Sequence, residues 1–263
     1  MFDFDSYKKE LMGLYQRLCE DEELVRLQMK APLGFSATAW GDRFMESEPR
    51  ILFLGKANNG AHTAQLQNGN CAIDLDELFT GSASILLGNG EWMDEYHDKW
   101  DRPNAFGWHP GRSPFFRVLR QVSEMLCARY GWCKENWHRY VAYGNFSKCN
   151  VDAAVSPCLR ILNGREDLFT EILKVELRYL APDFIVCFTG SGEGTTRWFS
   201  DLFLTRLGAV EAEVFPWCEG NRYCVRVFKW QNRYLLVTEH PQRKPEAVHA
   251  KAICRAIENL VSE

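Results

Sequence analysis

Apolar positions recur with two periods along this chain, one helical and one strand-like, and their alternation sets the expected architecture. Between Asp5 and about Met29, Leu11, Leu14, Tyr15 and Leu18 fall on one helix face, with Asp5 or Ser6 able to cap its start. Arg50-Ile51-Leu52-Phe53-Leu54-Gly55 is a short apolar run closed by glycine, the pattern of a buried strand. From Ala57 to about Arg112 the chain turns polar and turn-rich, with Trp92, Trp100 and Trp108 inside it. Helical spacing returns over Ser113–Arg129 through Phe116, Leu119, Val122 and Leu126. Tyr140–Phe146 reads as a strand, and Glu166–Leu180 as a helix stopped by Ala181-Pro182. Asp183–Phe188 is a short apolar strand, followed by a helix over Thr195–Leu207. Tyr223–Phe228 and Tyr234–Val237, with a turn at Gln231-Asn232, form a hairpin or two neighbouring strands. Pro245 suits the first position of a last helix reaching about Val261.

Strands apolar throughout, each followed by a helix, predict a short parallel sheet covered on both faces: an α/β/α layered fold in one domain over 1–263. Within it, 1–49 is an N-terminal helical region and 61–110 a long insertion, a length that suits a lid or partner surface. In such sheets ligands bind beyond the carboxyl ends of the strands. The segments to search are therefore Gly55–Gly60, Asn145–Lys148, Thr189–Gly192 and Thr238–Pro241.

Composition narrows the class without choosing within it. With 46% hydrophobic and 25% charged residues the chain has the make-up of a globular domain, which excludes a disordered tail or a collagen-like fibre. No run approaches about 18 apolar residues, so no membrane span or membrane partner is expected. The start, Met1-Phe2-Asp3-Phe4-Asp5, lacks an export signal, and the expectation is a soluble cytoplasmic protein. The 10 cysteines are scattered with no C-x-x-C pair, and the histidines lack metal-ligand spacing. Buried small hydrophobes are the expectation for the thiols, with no metal and no cofactor.

Charge is less evenly spread than the net −4 suggests. Arg102–Lys148 holds eight Lys/Arg against Glu124 and Glu135, and Asn221–Pro245 six against Glu239. These stretches carry about +6 and +5, leaving about −15 elsewhere to reach −4. Two readings compete, a solvated basic face and a phosphate-facing surface.

Several motifs fall away on inspection. Gly55-Lys56 is followed by Ala57, so it is no Walker loop. Gly190-Ser191-Gly192-Glu193-Gly194 suits a tight strand-to-helix turn, with phosphate contact the lesser alternative. Cys187 sits inside an apolar strand, which argues against a nucleophile dyad with His240. Two residues survive. Asn145 can offer a donor and an acceptor together to a pyrimidine edge, or simply form a turn. His240, in Glu-His-Pro-Gln-Arg-Lys-Pro, can donate to charge developing on a ligand oxygen, or be a satisfied loop histidine.

Taken in order, these pieces resemble the uracil-DNA glycosylase superfamily, nearest its thermophile-type bacterial and archaeal branches. Gly55-Lys56-Ala57-Asn58-Asn59-Gly60 stands where those have Gly-Glu-Ala-Pro-Gly, and Gly111-Arg112-Ser113-Pro114-Phe115 where they have Gly-Arg-Pro-Phe. Asn145-Phe146-Ser147-Lys148-Cys149 is similar to Asn-Val-Val-Lys-Cys, and His240-Pro241-Gln242 to His-Pro-Ser. The resemblance spans about residues 50 to 262 and implies the three-layer sandwich of that superfamily.

It also implies a base-flipping DNA N-glycosylase, or a non-catalytic nucleic-acid or nucleotide-binding relative; a hydrolase of free nucleosides is the third reading. In the first, Phe115 or Phe116 stacks on the base, Asn145 reads its edge, and His240 steadies charge on the departing base. Asn58 or Asn59 holds the attacking water, Gly55, Lys56 and Lys148 line the base site, and Arg112, Arg243 and Lys244 meet DNA phosphates. The chain departs from the pattern in one way that bears on rate: Gly55–Gly60 holds no Asp or Glu to activate water. The iron–sulfur branches pair two cysteines near the N-terminus; Cys19 stands alone, so no cluster is expected although Cys149 matches one ligand.

Overall fold

A computed structural model describes residues 3–28, 33–35, 37–57, 62–63, 65–67, 70–72, 113–151, 164–190, 197–217 and 223–262. In chain order the elements are α1 (Phe4–Cys19), α2 (Glu22–Gln28), β1 (Leu33–Phe35), β2 (Ala39–Trp40), β3 (Ile51–Ala57), β4 (His62–Thr63), β5 (Gln65–Gln67), β6 (Asn70–Ala72), α3 (Pro114–Tyr130), β7 (Val141–Ser147), β8 (Cys149–Val151), α4 (Glu166–Leu180), β9 (Phe184–Phe188), α5 (Arg197–Leu207), β10 (Val210–Pro216), β11 (Cys224–Trp230), β12 (Arg233–Thr238) and α6 (Glu246–Val261). The described residues fall into two compact units. One lies within Met1–Ala39, Gly55–Ala83 and Gly144–Ala181, the other within Trp40–Leu54, Ser84–Tyr143 and Pro182–Glu263.

In the first unit the single helix expected over Asp5–Met29 is two. The Asp21 carboxylate accepts the N–H groups of Glu23 and Leu24, both at 3.0 Å, and so caps a new helix after α1 has closed at Cys19. Of the predicted face of α1, Leu11, Tyr15 and Leu18 are buried, joined by Tyr7, whereas Leu14 is half-buried. The helix packs on α4, where Tyr7 and Tyr179 rings lie 5.4 Å apart and Arg17 reaches Glu171 at 2.6 Å. α4 ends where Ala181 turns left-handed before Pro182, as that dipeptide predicts. β1 pairs antiparallel with β4 and β8, and β5 with β6.

The sheet that organises the second unit runs in the order β10-β11-β12-β9-β3-β7-β2. It is mixed, not wholly parallel. β12, β9 and β3 are parallel, whereas β10, β11 and β12 are antiparallel. The reason is local: Gln231, at φ 55°, and Asn232 turn β11 straight back into β12, so no crossover helix intervenes. On one face Phe53, Val186, Val227 and Leu236 meet Val118, Val122 and Leu126 of α3 and Ile253, Ile257 and Leu260 of α6. Their alternates, Leu52, Leu54, Ile185, Cys187, Leu235 and Val237, are buried too, so both faces of these strands are covered. Gly41 belongs at its site because a Cβ there would lie 2.3 Å from the Arg139 backbone.

Candidate functional site

In the second unit the parallel strands end in register. Thr238 pairs with Phe188, and Val237 with Cys187, which also pairs with Leu54. The residues that leave β9 and β12 therefore emerge at one end of the sheet. Gly190, at φ 99°, turns there and donates its N–H to the Thr238 carbonyl at 2.9 Å. α3 starts at the same end, with Pro114 in its first turn. The Phe115 ring meets Phe188 edge-on at 5.3 Å and Phe116 at 5.1 Å, and Phe116 meets Tyr143 at 5.4 Å. Phe115 and Phe116 are half-buried, so part of each ring is packing surface already in use.

The loop after β12 carries His240, half-buried. Its Nδ1 accepts the N–H of Gln242 at 3.2 Å, so the neutral ring carries its proton on Nε2. Lys244 donates its N–H to the Pro241 carbonyl, sets its ammonium 3.8 Å from Glu239 and lies over the Tyr223 ring at 5.2 Å. Behind the loop, His249 of α6 is fully buried. Its Nε2 lies 2.8 Å from Thr238 Oγ1, and its ring stacks on Trp217 at 4.5 Å and meets Phe188 edge-on at 5.7 Å. Burial, and after it the charge of Lys244, lower its pKa from 6.5 to about 3, so this imidazole is neutral. The Trp217 Nε1, Thr189 Oγ1 and His249 Nδ1 atoms are buried without a hydrogen-bond partner.

Other sequence-selected residues lie in the first unit. Asn145 is half-buried in β7 after Gly144, where a Cβ would come within 2.4 Å of Thr38 Oγ1. Gly55 is buried and Lys56 half-buried. Lys148 is enclosed: its Nζ donates to Glu176 Oε2 at 2.6 Å with both side chains fully shielded. Burial lowers the Lys148 pKa against the opposing pull of Glu176. Asn58, Asn59 and Arg112 lie outside the described residues, as do Trp92, Trp100 and Trp108.

Ion pairing changes the reading of the two basic stretches. Arg117 forks onto Glu246 at 2.8 and 2.5 Å, Arg120 binds Glu124 at 2.5 Å, Arg139 binds Asp42, and Lys148 binds Glu176. Arg226 forks onto Glu211 at 2.8 and 3.1 Å. Apart from the local Arg120–Glu124 pair, carboxylates from outside the two stretches thus pair with Arg117, Arg139, Lys148 and Arg226. Arg243 is exposed, in the left-handed region at φ 62°.

Cys187 is buried with Sγ 3.8 Å from the Ile185 carbonyl, and burial pushes its pKa up, which leaves an inert thiol. Among the described residues no three His, Cys, Asp or Glu side chains gather to hold a metal, and no helix is long and apolar enough to cross a membrane. His249 is the residue that motif reasoning passes over. It lacks metal spacing, but it falls in phase with Ile253, Ile257 and Leu260 on the buried face of α6, and that phase is the signal.

No protein-family model matches this chain, and no curated protein matches it either.

Proposed function

We propose that the chain is a uracil-DNA-glycosylase-like protein, a three-layer α/β/α sandwich that hydrolyses the N-glycosidic bond of a flipped uracil or damaged base in DNA. The observation that carries this reading is the backbone N–H of Gln242 on His240 Nδ1, which leaves a neutral imidazole with an Nε2–H donor just past the end of β12. In the reaction the bond between the anomeric carbon and the base nitrogen breaks, and its electron pair leaves on the base. Nε2–H donates to the base oxygen that gathers this charge, and such pre-set donors stabilise transition-state charge strongly. Water adds to the anomeric carbon and loses a proton to solvent. Phe115 or Phe116 supplies the stacking surface.

A non-catalytic nucleic-acid or nucleotide binder on the same fold is the second reading. The absence of a carboxylate in Gly55–Gly60 favours it. The test is incubation with a labelled uracil-containing oligonucleotide, single- and double-stranded, followed by alkali. Strand cleavage that disappears in His240→Ala is the expected result. Intact DNA at enzyme excess overturns excision; salt-sensitive binding in those samples then selects the second reading, and its absence selects a small N-linked substrate.

A further inference from the structure

We infer that His249 is a positioning residue for His240, acting through the hydroxyl of Thr238. Thr238 is the last residue of β12, two positions before His240. It is held from three sides: its Oγ1 meets His249 Nε2 at 2.8 Å and the Cys224 carbonyl at 3.4 Å, and its own carbonyl accepts from Gly190 N–H at 2.9 Å.

The hydroxyl has one proton. Donated to the Cys224 carbonyl, it leaves Oγ1 as the acceptor for a proton on His249 Nε2. That assignment agrees with the buried Nδ1, which carries no partner to receive a proton from it. The imidazole itself cannot swing, since Trp217 covers one face nearly parallel, at 8°, and the Phe188 edge blocks another side. α6 in turn is tied to α3 by the Arg117–Glu246 fork, one turn before His249. A rigid donor on a clamped helix therefore fixes the strand end from which His240 projects, and His240 needs that fixed start. Its Nδ1 accepts a backbone N–H only two residues further along, a contact whose geometry follows the strand end. Small displacements of a catalytic group cost far more in rate than in stability.

The inference builds on the proposed role of His240, but its first test needs no DNA. In 15N-labelled protein at pH 8, His240 signals are assigned by their loss in His240→Ala and are expected to report one neutral form protonated at Nε2. In His249→Phe, which keeps a ring beside Trp217 but offers Thr238 nothing, they are expected to become a mixture of both tautomers. Thr238→Val is expected to do the same, and Thr238→Ser to restore the original pattern. An unchanged His240 pattern in either folded variant overturns the inference, as does failure of Thr238→Ser to restore it. Loss of folding in both His249→Phe and Thr238→Val also overturns it, because the pair would then hold the core and not the imidazole. If excision is present, kcat in His249→Phe is expected to fall on the order of 10²-fold with KM held, and an unchanged kcat overturns the inference. If excision is absent but the tautomers shift, the positioning relation stands and the glycosylase reading falls.

Discussion

Lys148 Nζ and Glu176 Oε2 meet at 2.6 Å with both side chains wholly shielded from solvent, and Glu176 Oε1 accepts the Thr38 N–H at 3.0 Å. An ammonium in the strand-end segment after Asn145 is thus committed to the interior of the first unit. Desolvation makes such a pair a poor source of net stability, while removal of one partner strands the other.

Lys148→Met is therefore expected to destabilise the protein by about 3–5 kcal/mol, because it leaves a buried carboxylate without its counter-charge. Lys148→Met combined with Glu176→Leu should recover a large part of that loss. Denaturant unfolding of the two variants checks it. Equal instability of single and double variants would show that the charge pairing is not the cause.

The depressed pKa of His249 makes stability depend on pH with a definite sign. The unfolded chain binds a proton at this ring below about 6.5, whereas the folded chain resists until about 3. Protons therefore favour unfolding across that window. Its contribution is complete above 6.5 and declines toward pH 3, by at most about 1.4 kcal/mol per pH unit. In His249→Gln the stability curve between pH 6 and 4 should be flatter than in the parent. Parallel curves would mean that the ring is protonated in the folded state.

These two predictions concern residues that one-dimensional reading treats very differently. Apolar period and punctuation locate the elements: Leu168 to Leu180 with Ala181-Pro182 predicts α4 over its full length, and Asp183–Phe188 predicts β9 within one residue. β10 escapes because Val210-Glu211-Ala212-Glu213-Val214 alternates apolar and acidic at an edge, with most of its residues exposed, and so resembles a polar connection. Asp21 breaks the first helix through a side-chain hydrogen bond that periodicity does not register. At the site, a His-Pro loop after a strand is visible in sequence, but its Thr238–His249 support joins residues eleven apart on different elements. Long-range pairs such as Lys148–Glu176 and Arg139–Asp42 are invisible to any count of local charge.

The Arg139–Asp42 pair carries its own acid dependence. The Arg139 guanidinium, with Nε 2.7 Å from Oδ1, lowers the Asp42 pKa below 3.8, and partial burial opposes that effect. A carboxyl lowered in the folded state stabilises above its unfolded value, and that contribution disappears as pH falls through the folded value. Asp42→Asn should therefore cost about 1 kcal/mol or less near neutrality, since the pair is partly exposed. Its stability should also fall less steeply than the parent's between pH 4 and 2.5, which acid titration followed by circular dichroism measures. An undiminished acid slope would assign that slope to other carboxylates.

If DNA is the partner, its salt dependence should separate cations that are available from those already paired. Arg243 is exposed in the loop that follows His240, whereas both ends of the Arg226 fork are occupied by Glu211. Each phosphate contact contributes about −0.9 to the slope of log K against log salt on duplex DNA. Arg243→Gly removes the charge at a backbone conformation, φ 62°, that glycine adopts without strain, so fold damage does not confound the comparison. The slope should become shallower by about 0.9 in Arg243→Gly and stay unchanged in Arg226→Ala. Identical slopes in the parent and Arg243→Gly would remove Arg243 from the contact surface, and a change confined to Arg226→Ala would move that surface to the β10–β11 pair.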